Sequence, residues 1–283
     1  MDVEIPTNPT DKPRGRRRKT ADAAPAPAEQ IAAPGEALPP LPDEAYPEGA
    51  APLPAAAPLA PLPEGAINHR GVWLPPGEKH LVEMMAPGVK RYAELPDGRP
   101  SYQRHKFLTA VPLVKEARVF VDIGAHVGLW SMQAELAFEQ VIAFEPHPVH
   151  AAIYPHNMRT DRYALHRVAL GEREGSVRLD GKPGSSGDTH VAGEGDIPMV
   201  TLDSFGLERI DLLKIDTEGY ELPILRGAVE TLKRCRPVVV VEQKGREAMY
   251  HGGKQGEAVA FLKSLGMVEL APAISGDFFL GWR

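Results

Sequence analysis

From residue 119 onward the chain repeats one pattern: a short apolar run rich in β-branched residues, a turn, then a stretch of helical period. Val119–Ile123, 141–144, 163–170, 210–215 and 237–241 read as strands buried on both faces of a sheet, because they run apolar where a half-solvated strand alternates. Between them, 127–138, 147–158 and 221–232 read as helices, with Pro155 expected to end or kink the second and Pro223 tolerated in the first turn of the third. Residues 258–265 form a further helix stopped by Gly266, and 267–270 with 277–282 pair as a terminal hairpin. Shorter strands at 176–180 and 199–202 flank the Gly/Ser-rich stretch 181–187, which is expected to be a loop covering a site. Strands alternating with helices, then two final strands, predict an α/β fold: a doubly wound, mostly parallel sheet with an antiparallel strand near the C-terminus.

Four of the strands end on an acid: Asp122, Glu145, Asp216 and Glu242. After the first comes Asp122-x-Gly124-x-x-x-Gly128, whose spacing departs from the dinucleotide fingerprint G-x-G-x-x-G, and whose acid would repel a pyrophosphate. A carboxylate there suits a ligand carrying an ammonium and a sulfonium, which points to S-adenosylmethionine. Glu145, about twenty residues past Gly124, is placed to take both ribose hydroxyls. This is the usual shape of a class I methyltransferase, a Rossmann-like fold.

Composition changes the picture at the N-terminus. About half of the 29 prolines fall within residues 1–65, with many alanines and one aromatic, Tyr46. Such a segment cannot bury enough apolar surface to offset its chain entropy, so 1–65 is expected to be a disordered tail. Residues 66–117, dense in turn signals before a helix interrupted near Pro112, form a lead-in segment packing on the sheet, and 118–283 the methyltransferase domain. Arg104, His105 and Lys106 are expected on a plain surface.

Positive charge in the tail is confined to Lys12–Lys19, with Arg14, Arg16, Arg17 and Arg18, while the whole chain carries a net charge of -6. A solvated charge run is the favoured reading over a nucleic-acid arm, since an acidic domain repels phosphates. No stretch is long and apolar enough to span a bilayer, there is no signal-peptide pattern, and a single cysteine, Cys235, excludes an intrachain disulfide; the expected compartment is the cytoplasm. His147 and His150 sit one turn apart, but no third histidine or acid nearby in sequence completes a metal site. No metal ligand set is therefore assigned, and a divalent ion on Asp216, Glu218 and Glu242 remains an open alternative.

Several segments together resemble the FkbM family of S-adenosylmethionine-dependent methyltransferases: 121–128, 143–147, 168–171, 200–203, and above all Ile210-Asp-Leu-Leu-Lys-Ile-Asp-Thr-Glu-Gly-Tyr-Glu221. The resemblance implies methylation of a hydroxyl oxygen on a sugar, polyketide or related small molecule. Carried onto this chain, it implies that Asp122, Gly124, Ala125, His126, Gly128, Glu145, Pro146, Ala169 and Leu170 hold the cofactor, with Asp216 and Glu218 beside the transferred methyl as catalytic candidates. His126 is a departure, because the family commonly has Asn there. The competing readings are a methyltransferase tethered to nucleic acid by its basic arm, and a cofactor-binding scaffold without chemistry.

Overall fold

The structure is a computed structural model and describes residues 59–283. The tail reading of 1–65 and the basic run Lys12–Lys19 therefore fall wholly or mostly outside the described residues. Within 59–65, Leu62 packs against an apolar cluster containing Val72, Leu74 and Ile153, and the Ala60 carbonyl accepts a hydrogen bond from His156 Nε2 at 2.8 Å.

Seven strands form the central sheet: β1 Val119–Ile123, β2 Gln140–Phe144, β3 Tyr163–His166, β4 Leu212–Ile215, β5 Val238–Glu242, β6 Met267–Ile274 and β7 Asp277–Trp282. Their order is β3-β2-β1-β4-β5-β7-β6, parallel from β3 through β5, with β7 antiparallel to both its neighbours. This is the doubly wound sheet with a late antiparallel strand that the apolar runs predict. The chain leaves β1 to one side for β2 and returns to its other side as β4, so a crevice opens above their carboxyl ends.

Alternation within the strands sorts side chains between two faces. Val121, Ile123, Leu213, Ile215, Val239 and Val241 meet the helices α5 Glu221–Arg226, α6 Val229–Cys235 and α8 Glu257–Ser264. On the opposite face Phe120, Val141, Leu212 and Val240 pack with Phe107 and Ala110 of α2 Arg104–Ala110, which follows the short α1 His80–Met84 of the lead-in segment, and with Trp130 and Phe138. The sheet is thus covered on both sides, as a parallel sheet requires.

Several elements differ from expectation, each for a local reason. Only Ser131–Ala134 (α3) is fully α-helical within 127–138, because the flanking turns close by shorter bonds such as Ala137 N to Ala134 O. Helix α4, Pro148–Asn157, carries Pro155 inside its last turn, where two more residues complete it. The run 163–170 divides into β3 and a separate strand, Ala169–Leu170, paired in parallel with Ile197–Val200. The helix expected over 221–232 breaks at Gly227: a Cβ there would lie 2.0 Å from the Gly171 carbonyl oxygen, so the chain passes where only glycine fits. The stretch 181–187 is no loop but the turn and flank of a hairpin, Leu179–Lys182 with Ser185–Val191. A helix that periodicity does not signal, α7 Arg246–His251, follows β5. Lys106 is buried rather than on the surface, paired with Asp277 at 2.7 Å.

Candidate active site

Above the carboxyl ends of the parallel strands lies a cavity of about 390 Å³. Each wall comes from one strand terminus: Gly124–His126 after β1, Glu145 and Pro146 after β2, Val168–Leu170 beyond β3, Asp216–Glu218 after β4, and Glu242, Lys244 and Arg246 from β5 onward. The hairpin strand Ser185–Val191 forms a further wall. Of the residues expected from sequence, Gly124, Ala125, His126, Glu145, Pro146, Ala169, Leu170, Asp216 and Glu218 line this one space. Asp122 and Gly128 do not.

Asp122 sits on the α2-facing side of β1, opposite Lys214 in register, and is fully buried. Its carboxylate accepts a hydrogen bond from Ser131 Oγ at 2.7 Å and lies 3.3 Å from Lys214 Nζ. Burial pushes its carboxyl up against the pull of Lys214 and of the Ser131 hydroxyl. Strand alternation, which the motif alone does not reveal, turns this acid beneath the cavity floor. Lys214 reaches upward from there: it donates to the Gly124 carbonyl at 3.2 Å and approaches Asp216 at 3.8 Å.

Gly124 ties two walls together. Its φ is +74°, and a Cβ would stand 2.0 Å from the Asp216 carbonyl oxygen, so the turns after β1 and β4 touch through a position closed to any side chain. His126 is also left-handed, at φ +54°, a region in which Asn and His are enriched among non-glycine residues.

Glu145 is 5% exposed; its oxygens accept the His126 amide at 2.7 Å and the His147 amide at 2.9 Å, with His150 Nδ1 at 3.5 Å. Burial works to raise this carboxyl, but the His150 contact and the two amides outweigh it and hold it below its ordinary value. The His150 ring packs against those of His126 and His147 at centroid spacings of 4.1 Å, tilted by 55° and 31°. The expectation that no acid or third histidine stands near this pair is corrected: Glu145 lies two residues before His147 and reaches His150, and the fold brings in His126, yet among the described residues their ligand atoms do not gather as a metal group. Burial, then the neighbouring His150, depresses His147 to about 4 and His126 well below its ordinary value, leaving both imidazoles neutral at pH 7.

The turn after β4 is shaped by Glu221, whose Oε1 accepts the Thr217 and Gly219 amides at 2.9 and 3.0 Å. That arrangement places Glu218 in the left-handed region at φ +58°. Carboxylate oxygens of Asp216, Glu218 and Glu242 come within 4.8 Å of one another. Hard divalent cations take such oxygen donors, but here Lys244 bonds Glu242 and Arg246 Nε lies 2.6 Å from Glu218. Against the burial that would raise it, Lys214, Lys244 and Lys106 hold Asp216 below its ordinary value. Burial and the charge of Asp216 push Glu218 up to about 8, and burial with the same neighbour pushes Glu242 up to about 9.

Lys244 and Arg246 have no motif to announce them beyond the position of Lys244, two past the acid that ends β5, whereas the hairpin wall begins within the Gly/Ser-rich stretch 181–187, whose Ser185, Ser186 and Gly187 line the cavity. The strand order and the ring of strand-terminal residues around one crevice define a class I methyltransferase fold. Residues 122–268 match the FkbM methyltransferase domain, more than half of the chain, and the protein belongs to that family. It is also similar to Methyltransferase 1 of Beauveria bassiana, 24% identical over 141 residues that make up 38% of this chain and 57% of that protein. The chain therefore matches little more than half the length of that relative. Among solved structures it is similar to an FkbM methyltransferase from Methylobacillus flagellatus (18% identity, TM-score 0.40, 59% of this chain and 44% of that one). Another is an O-methyltransferase from Bacillus cereus in complex with SAH (16% identity, TM-score 0.40, 71% and 87%).

Proposed function

We propose that the protein is an S-adenosylmethionine-dependent methyltransferase acting on a hydroxyl oxygen of a sugar or other small molecule. The observation that carries this reading is the meeting of Glu145 and the Asp216–Glu218 turn in one cavity, joined at Gly124 where no side chain can intrude. The donor set fits the cofactor: Glu145 faces a space whose other wall, Val168–Leu170 with Tyr220 and Ile224, is largely apolar, while acids gather at the far end. When bound, the cofactor supplies a methyl group on a sulfonium, transferred by in-line displacement.

What the chain itself contributes is alignment and proton management. Glu145, Ala125 and His126 would hold the ribose side, and Ala169 and Leu170 the adenine side. A hydroxyl is a poor nucleophile until its proton leaves, so a base must stand within hydrogen-bond reach. Glu218 suits that task, being near the working pH, while Asp216, kept ionised by the lysines around it, favours positive charge in the same space. A volume of about 390 Å³ lies in the range of small-molecule sites, which fits a cofactor of nucleoside size.

The test is calorimetry of S-adenosylmethionine on the full chain, followed by detection of S-adenosylhomocysteine with a panel of hydroxylated acceptors. Binding should be micromolar and lost in Glu145→Ala. A folded protein that does not bind the cofactor refutes the proposal; binding without product from any acceptor favours the scaffold reading.

A further inference from the structure

The hairpin Leu179–Lys182/Ser185–Val191 is fastened to the cofactor loop by a chain of three side chains from three separate parts of the fold. Glu78 belongs to the lead-in segment, outside the residues that match the family, and is 3% exposed. It has no cation within ion-pair distance among the described residues. Instead its Oε1 accepts the Leu81 amide at 2.9 Å, and its Oε2 accepts both the Ser186 amide at 2.7 Å and the Ser186 hydroxyl. Ser186 Oγ lies in turn 2.8 Å from His126 Nε2.

The hydrogen count fixes the direction of this chain. A serine hydroxyl has one hydrogen, and here the carboxylate takes it, so the imidazole must donate Nε2–H to Ser186 Oγ. His126 lies in the Gly124–Gly128 turn, and its amide is held by Glu145 Oε2. A buried carboxylate with no cation is costly unless its hydrogen bonds are satisfied. Two of the three bonds it has come from Ser186, and the third residue of the chain lines the cavity assigned above to the cofactor.

We propose that Glu78 and Ser186 are positioning residues of the cofactor site, acting through His126 to hold the hairpin closed against the bound cofactor. The inference rests on the cofactor reading given above. The Gly184 carbonyl, which accepts the Lys79 amide at 3.2 Å, anchors the hairpin tip to the same lead-in segment by a contact independent of the Ser186 side chain. Loss of the Ser186 hydroxyl removes two hydrogen bonds and leaves the backbone anchor, which loosens the closed state without removing the hairpin.

The experiment is stopped-flow binding of S-adenosylhomocysteine to the full chain, for wild type, Ser186→Ala, Ser186→Thr and Glu78→Gln, with Lys263→Ala, exposed on α8 and away from the cavity, as control. Ser186→Ala and Glu78→Gln should release the ligand about tenfold faster with association undiminished. Ser186→Thr, which restores the hydroxyl, should return release to within about twofold of wild type. A purely structural role would instead lower association or the active fraction and leave release unchanged. Release within about twofold of wild type in both hydroxyl-chain variants, or a fall in association alone, overturns the proposal. Absence of ligand binding to folded wild type refutes the cofactor reading itself, and is distinguishable because no variant is then needed to see it.

Discussion

Lys214→Met is the substitution whose cost can be worked most directly from the structure. Lys214 Nζ lies 3.3 Å from Asp122 Oδ1, and both side chains are almost wholly shielded from water. At an effective dielectric of about 20, two charges at that separation attract by about 5 kcal/mol, and removing one partner of a buried pair typically costs about 3–5 kcal/mol. After the change, Asp122 keeps only the hydrogen bond from Ser131. The converse change, Asp122→Asn, is milder, about 1–3 kcal/mol, because Lys214 keeps Asp216 at 3.8 Å and the Gly124 carbonyl at 3.2 Å. The double variant should cost no more than Lys214→Met alone, since the orphaned carboxylate is gone. Guanidinium unfolding at pH 7, followed by fluorescence and circular dichroism, measures all three. For a domain of this size Lys214→Met should lower Tm by roughly 6–20 °C. A loss below about 1 kcal/mol, or a double variant equal to the sum of the singles, refutes a buried pair. Because Asp122 lies under the cavity floor, Asp122→Asn should also weaken cofactor binding less than Glu145→Ala; the opposite ranking would return Asp122 to direct contact.

Gly124→Ala should cost at least about 2 kcal/mol and abolish cofactor binding, since its Cβ would collide with the Asp216 carbonyl; a stable variant that binds in calorimetry contradicts this. Glu218→Gln should slow turnover about 100-fold or more while the cofactor still binds. The wild-type rate should rise with pH and level off above about 8, where Glu218 is ionised, and persistence of that limb in the Gln variant would exclude Glu218 as its source. Glu242 is raised to about 9 in the folded chain from an ordinary 4.5. Its contribution to stability is therefore full below pH 4.5 and is lost as pH rises through about 9. Glu242→Gln should flatten that decline in unfolding measurements between pH 5 and pH 9, and an unchanged slope would show that Glu242 is not the group responsible.

Apolar runs bounded by acids made the parallel sheet, its late antiparallel strand and the crevice legible in the sequence, because a strand buried on both faces leaves a period-free signal that stops where its end meets the polar crevice. The motif after β1, Glu145 and the Asp216–Glu218 turn were legible for the same reason: each is local to one strand end. What remained hidden depends on who faces whom. Strand alternation sends Asp122 below the floor to Lys214, a partner 92 residues away in sequence by 214 less 122. The close approach of Gly171 breaks the helix at Gly227, and Glu78 meets Ser186, and through it His126, only because the lead-in segment packs beside the hairpin. Periodicity and motif spacing report a residue's own backbone and immediate neighbours. Ionisation of Glu218 and Glu242, the pairing of Arg246 with Glu218, and the packing of the hairpin as a wall arise from distances between segments, and those exist only once the chain is folded.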